Sequence, residues 1–329
     1  MQKQTIKQME LTKEQILTLS LLKGIGPKKI LAIGAAINDR GIAVDSFESL
    51  QKLMSGMKDK KIQAVTLDDL NTAYTDAMKV IRYSEENKIG LIGYYDDEYP
   101  KALKKAINEE GKLDPPLLLW YRGDISILNM PAIAVIGTRE ATPEGVAGGE
   151  YLSGEFAKRG FNIVSGLAVG CDTCGHKGAL KVGGKTTAIL ANGLDHDSIY
   201  PPENQDLAEE IVEKGGLLLS EYRIKSTVNR YNLVARDRLQ AGLALATLVV
   251  QTGVKGGTMH AANTTLMAKK DLFVMRFKND AINNHEKCQG NAYLHEKGAK
   301  YIKGSDDLDK ISEDIKNQKV VETDLFESA

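Results

Sequence analysis

Residues 131–140, Pro-Ala-Ile-Ala-Val-Ile-Gly-Thr-Arg-Glu, carry the architecture in miniature. Ala132–Gly137 is a short apolar run without polar alternation. A strand with one wet face alternates with period two, whereas a strand covered on both faces reads as a continuous apolar run. The run breaks into Gly137-Thr138-Arg139. Gly137 permits close backbone approach, Thr138 brings a hydroxyl and N–H groups, and Arg139 brings a fork that grips phosphate bidentately. This is not GxGxxG, so the dinucleotide-binding argument does not transfer.

The same pattern repeats along the chain. Phe161–Ser165, Lys185–Ala191, Gly216–Glu221, Ala244–Gln251, Asp271–Met275 and Ala299–Lys303 are further short apolar runs. Between them, Ala147–Arg159, Asp172–Val182 and Asn204–Lys214 fit crossover helices. Strands alternating with helices predict an α/β fold: a Rossmann-like, doubly wound, mostly parallel sheet. In such sheets ligands meet the carboxyl ends of the strands.

Upstream, residues 1–82 read as a small all-helical domain. Thr12 and Gln15 have capping-box spacing ahead of the apolar Leu11–Leu22 stretch. Gly24-Ile25-Gly26-Pro27 makes a tight turn, with Pro27 suited to the first turn of a helix. Phe47–Met57 and Leu67–Glu85 are two further helical stretches. Residues 83–315 form the α/β domain, and 316–329 a polar, frayed tail.

Composition narrows the function classes. The 329 residues carry 43 Lys and Arg against 44 Asp and Glu, a net charge of −1. This excludes a globally basic nucleic-acid coat, but not a local patch. Three Cys exclude a disulfide scaffold. The polar start MQKQTIKQMELTKEQ lacks a signal-peptide core, and no apolar run spans a bilayer. The expectation is a cytoplasmic protein without a membrane partner.

Other strand ends add candidates. Ser165-Gly166 opens a small-residue loop toward Asp172 and His176. These two are either an acid–base pair or a helix cap beside a structural His. Cys171 and Cys174 form a single CxxC, too few ligands for zinc, and no metal or cofactor is expected. Gly193 permits another close approach, and Tyr200 is either an aromatic lid or surface packing. Arg223, Lys225, Arg230, Arg236 and Arg238 face one acid, Asp237, with Tyr222 and Tyr231 placed to stack on unpaired bases. Arg236 and Arg238 are expected at a helix start. Lys255-Gly256-Gly257-Thr258 joins N–H groups, a hydroxyl and a cation at a strand-to-helix turn, as a phosphate cradle does. It lacks P-loop spacing, and Gln251 stands where a Mg²⁺-binding carboxylate would be. No catalytic constellation is complete.

Across residues 96–303 the order of short motifs resembles the DprA/Smf family of DNA-processing proteins. The motifs are Tyr99-Pro100-Lys101-Ala102-Leu103, PPLLLWYRG at 115–123, Ala134–Arg139, Val164–Ala168 with Asp172 and His176, and Gly193-Leu194-Asp195 with Tyr200-Pro201 and Asn204. Ser220-Glu221-Tyr222, Arg236-Asp237-Arg238, Ala241-Gly242-Leu243, and Asn291 with Gly298-Ala299 follow. The resemblance implies an extended Rossmann fold that binds single-stranded DNA, forms a homodimer, and helps load RecA recombinase in transformation and recombination, without catalysis of its own. The family's GxR motif falls on Gly137 and Arg139, its RNR on Arg236 and Arg238, and its SGS-type loop on Lys255–Thr258. The GIG turn resembles a helix-hairpin-helix, a backbone DNA binder, in a SAM-like helical domain. The departures are Asp237 for the middle Asn of RNR, Leu233-Val234 for Phe-Pro, Gln251 for Glu, and Gly256 for Ser; a winged-helix domain carried by some members is not expected. They mark a divergent member. The competing reading is a small-nucleotide sensor or a relative of the LOG phosphoribohydrolases in a defence or mobile-element system, although Met259–Ala262 offers none of the acid that such hydrolysis needs.

Overall fold

The structure, a computed structural model, describes residues 9–327, with side chains described through residue 318. Residues 1–8 of the polar N-terminal stretch therefore lie outside the described residues. The chain divides into two compact units, Met1–Tyr99 with Leu117–Trp120, and Pro100–Pro116 with Tyr121–Ala329.

The first unit is built from α1 (Lys13–Leu21), α2 (Pro27–Arg40), α3 (Phe47–Ser55), α4 (Lys60–Gln63) and α5 (Leu67–Glu86). Their starts are encoded locally. The Thr12 hydroxyl accepts from the Gln15 N–H at 3.2 Å, and Gln15 Oε1 accepts from the Thr12 N–H at 3.0 Å. Ser46 with Ser49 and Thr66 with Asp69 repeat the device; loss of such a cap costs about 1 kcal/mol. Pro27 takes the first position of α2, where its missing N–H costs nothing. Ile16, Leu19, Ile30, Ile33, Ile37 and Leu50 close one apolar core. The unit extends to Tyr99 because β1 (Gly90–Gly93) packs on α1 and α5.

β2 (Leu118–Gly123) has residues in both units. The second unit then holds β3 (Ala132–Ile136), β4 (Asn162–Ser165), β5 (Thr186–Leu190), β6 (Leu217–Ser220), β7 (Ala246–Val249), β8 (Asp271–Met275) and β9 (Lys300–Ile302). Each lies inside the run expected from the sequence. These strands run in the order β6-β5-β4-β3-β7-β8-β9, each parallel to its neighbours. Ile133 of β3 registers with Ile163 on one side and Ala246 on the other. The chain winds outward from β3 to β6, then returns to β7 and winds the other way. The order thus reverses between β3 and β7, where the crevice of a doubly wound sheet opens.

The covering helices are α6 (Pro143–Lys158), α7 (Cys171–Lys181), α8 (Gln205–Glu213), α9 (Arg230–Leu243), α10 (Thr258–Met267), α11 (Asp280–Asn283), α12 (Gln289–Glu296) and α13 (Leu308–Glu327). Every residue of β3 is buried; Ile133 and Val135 share a core with Leu152, Phe156 and Phe161, and Ile136 one with Val249 and Ala262. Three helices depart from expectation. α6 begins a turn early, because the Thr142 hydroxyl accepts from the Gly145 N–H at 3.2 Å and Pro143 follows. α9 begins at Arg230, because the Asn229 side chain accepts from the Asn232 N–H at 2.9 Å. Arg236 and Arg238 therefore sit in the body of a helix, not at its start. The backbone after Ile315 continues as helix to Glu327 instead of a frayed tail, and residues 328–329 lie outside the described residues. No helix among the described residues is long and apolar enough to cross a membrane.

Candidate nucleic-acid interface

At the β3/β7 reversal the strand ends enclose a cavity of about 520 Å³. It gathers Gly137, Thr138 and Arg139 from the end of β3, Arg236 from α9, and Lys255-Gly256-Gly257-Thr258 from the loop entering α10. These segments lie far apart in sequence, and the topology brings them to one edge. The Thr138 N–H donates to the Gln251 carbonyl at 2.7 Å, and the Glu140 N–H to the Thr138 hydroxyl at 3.2 Å. Gly137 is required by crowding: a Cβ there would stand 2.5 Å from Cys171 Sγ and 2.8 Å from the Gln251 carbonyl.

Besides the buried Arg236, three cations line this cavity from three elements: Arg139, Arg230 and Lys255. All are exposed, and none of their side chains has an ion-pair or hydrogen-bond partner among the described residues. Glu140, beside Arg139, is instead occupied by Lys287 at 2.5 Å. A second, smaller cleft of about 190 Å³ shares Arg139, Ala168, Leu233 and Arg236 with the first, and adds Gly166 and Tyr200. Tyr200 is 37% exposed. The two hollows meet at Arg139.

The two arginines of the Arg236-Asp237-Arg238 segment part company. Arg236 turns into the cavity floor, its Nη1 donating to the Ile189 carbonyl at 2.7 Å. Arg238 turns the other way: Nη1 and Nη2 grip Glu221 at 2.5 and 2.7 Å, and Nε donates to the Asp114 carbonyl at 2.9 Å. Two residues along a helix rotate a side chain by about 200°, so the pair cannot face one ligand. Asp237 lines the cavity, and its Oδ1 sits 3.3 Å from Arg236 Nε. Burial pushes its carboxyl up to about 7, against the pull of Arg236.

The remaining sequence candidates lie beneath or beside the cavity. The Ser165 hydroxyl is buried and donates to the Val135 carbonyl at 2.6 Å. Gly166 makes room for the Arg236 guanidinium, which a Cβ would strike. Gly193 is roofed by the 223–226 segment, its N–H donating to the Ser226 carbonyl at 2.8 Å. Asp172 accepts from the Gly166 and Ala168 N–H groups at 3.1 and 3.3 Å, and burial raises its proton affinity. His176 is buried, with Nδ1 2.7 Å from the Thr186 hydroxyl, and burial drops it to about 3. Asp172 and His176 therefore follow the structural alternative, with Asp172 pinning the β4–α7 loop instead of capping α7. Gln251 is a brace: Oε1 accepts from the Thr142 N–H at 2.9 Å, and Nε2 donates to Thr142 Oγ1 and Cys288 Sγ at 3.1 and 3.2 Å. Of the two tyrosines read as stacking residues, Tyr231 is 86% exposed. Tyr222 is half-buried, and burial pushes it to about 12. Among the described residues no three His, Cys, Asp or Glu converge as metal ligands. The sequence reading counted Arg230 in its basic stretch without placing it at the strand ends, and it missed His260 as a cavity residue. The Asn229 cap was the signal that would have put Arg230 in the first turn of α9.

Fold and site together define an α/β protein that presents a cationic, glycine-rich hollow at the reversal point of a parallel sheet. The chain belongs to the DNA recombination-mediator protein A family, whose profile matches residues 90–314. It is 38% identical over 182 residues to Protein Smf of Synechocystis sp., a match covering 54% of this chain and 44% of that one. The chain thus spans less than half the length of this relative. Among solved structures it resembles DNA processing protein A of Streptococcus pneumoniae, with a TM-score of 0.70 and 25% identity over 89% of this chain and 95% of the other. It also resembles DNA processing protein A of Helicobacter pylori, with a TM-score of 0.58 and 29% identity over 70% of this chain and 97% of the other. That relative was solved for its single-stranded-DNA binding mode.

Proposed function

We propose that this chain is a single-stranded-DNA-binding recombination mediator. It protects incoming strands and assists RecA loading as a cytoplasmic homodimer, acting by binding rather than by catalysis. The observation that carries the reading is the convergence on one cavity of Arg139, Arg230 and Lys255, whose side chains have no ion-pair or hydrogen-bond partner among the described residues. Charges paired within the protein contribute little to a ligand, whereas unpaired ones release DNA counterions on contact. In this reading Gly137, Thr138, Arg139 and Lys255–Thr258 hold phosphates, with Arg236 behind them. Ser165, Gly166, Gly193 and Arg238 hold the loops that shape the site. Tyr200 at one end and Tyr231 beside Arg230 offer stacking faces, a sequence-tolerant contact worth about 1–3 kcal/mol per base. The helical unit, expected over residues 1–82 and extending to Tyr99, acts as a separate domain, and the sheet unit as the DNA-binding one. The likeness to the Helicobacter pylori protein supports the choice of ligand.

Photocrosslinking of a bromouracil-substituted single strand, followed by peptide mapping, tests this. Crosslinks on Tyr200, Tyr231 and the 252–260 segment are expected. Crosslinks confined to the opposite, amino-terminal edge of the sheet contradict the assignment.

A further inference from the structure

Asp237 stands inside the cavity, where it meets the one cation that the fold buries there. Arg236 is 5% exposed, and its Nη1 is committed to the Ile189 carbonyl. Its Nε edge already faces an internal anion, Asp237 Oδ1, at 3.3 Å. Resting on the DNA-binding reading above, we propose that Asp237 is a built-in competitor for the phosphate position beside Arg236, so that strand binding is coupled to proton uptake. When ionised, Asp237 neutralises Arg236 and repels an incoming phosphate. When protonated, it frees that charge, and its O–H donates to a phosphate oxygen. No bond to DNA forms or breaks; one proton moves from solvent to the carboxylate.

The surroundings set the sign. From α7, Asp172 adds negative charge, but its oxygens are tied to the Gly166 and Ala168 N–H groups. From α10, His260 faces the same cavity, and its Nδ1 lies 2.5 Å from Glu109. On α9 itself stand Arg236 and, toward the rim, Arg230. The loops add Arg139, Lys255 and the Lys287-paired Glu140. Burial raises the proton affinity of Asp237; Arg236 and His260 oppose this, while Asp172 and Glu109 add to it. A bound phosphate, itself an anion, raises it further, so affinity increases as pH falls.

The test uses the full chain and fluorescence anisotropy of labelled oligo(dT), from pH 8 to pH 6 at constant ionic strength. Wild-type affinity is expected to rise about tenfold across that range, the factor carried by one unit of pKa displacement. Asp237→Asn is expected to bind at pH 8 as tightly as wild type does at pH 6, with a flat profile. His260→Gln is expected to keep the wild-type slope. An Asp237→Asn variant no tighter than wild type at pH 8 overturns the proposal. So does a slope that survives in Asp237→Asn and vanishes in His260→Gln. If Asp237→Asn does not fold, calorimetry of wild type and His260→Gln at pH 7, in two buffers of different ionisation enthalpy, decides. Proton uptake in both supports the proposal, and its absence overturns it. Binding by Asp237→Asn alone supports it as well. Failure of both proteins to bind at pH 6 and low salt instead removes the DNA-binding reading, and the competitor role with it.

Discussion

At the residue scale, the two arginines around Asp237 separate binding from folding. Arg238 holds Glu221 through two hydrogen bonds in a setting where both are largely buried. Removing one partner of such a pair leaves a stranded charge and costs about 3–5 kcal/mol. Arg238→Ala is therefore expected to lower the urea midpoint sharply, with its DNA affinity following the folded fraction. Arg139 has no internal partner among the described residues, so Arg139→Ala is expected to leave the midpoint unchanged. Asp237 makes a further prediction about stability. Its folded-state carboxyl is raised to about 7, well above that of an unfolded Asp. The native state therefore holds a proton that the unfolded state has released, and stability declines as pH rises through about 7. Between pH 6.5 and 8 buried His176 is neutral in the native state, where its value is about 3. Its unfolded-state titration near the ordinary value of about 6.5 is shared by wild type and Asp237→Asn, so it cancels in their difference. Urea unfolding in that window should show wild type losing stability toward pH 8 while Asp237→Asn does not. Parallel curves would contradict it.

At the element scale, the strands were legible because parallel strands covered on both faces leave continuous apolar runs; Ala132–Ile136 and Asp271–Met275 needed no further information. Helix starts were legible only where the cap was read. Thr12 placed α1 correctly, whereas the unread Thr142-Pro143 and Asn229 caps shifted α6 and α9. The second shift mattered for the site. With α9 begun after the Asn229 cap, helical geometry turns Arg236 and Arg238 to opposite sides, and Arg230 stands in the first turn of the helix at the cavity rim. The roof over Gly193 was not legible, because it depends on where the 223–226 segment crosses the sheet edge. Packing between α6 and α7 gives a sharp test of the fold. A Cβ on Gly178 would collide with the Glu150 carbonyl. Neither backbone can yield locally, so Gly178→Ala should cost about 1–3 kcal/mol in urea unfolding. A neutral result would show that the two helices are not so closely apposed.

At the scale of the whole molecule, a net charge of −1 hides a local concentration of cations at one edge of the sheet. The fold supplies that concentration by reversing its winding between β3 and β7, which opens a crevice lined by the loops after those strands. The proposed homodimer should sediment at about twice 35.9 kDa; sedimentation as a single chain at micromolar concentration would rule it out. The central claim is that the unpaired cations at this crevice hold single-stranded DNA. Fluorescence anisotropy of a labelled single strand and its duplex, at two salt concentrations, for wild type and Arg139→Ala, tests it most directly. The account predicts a preference for the single strand, strong weakening by salt, and a salt slope smaller by about 1 in the variant. Absence of wild-type binding at low salt, or a variant that binds and responds to salt as wild type does, would contradict it.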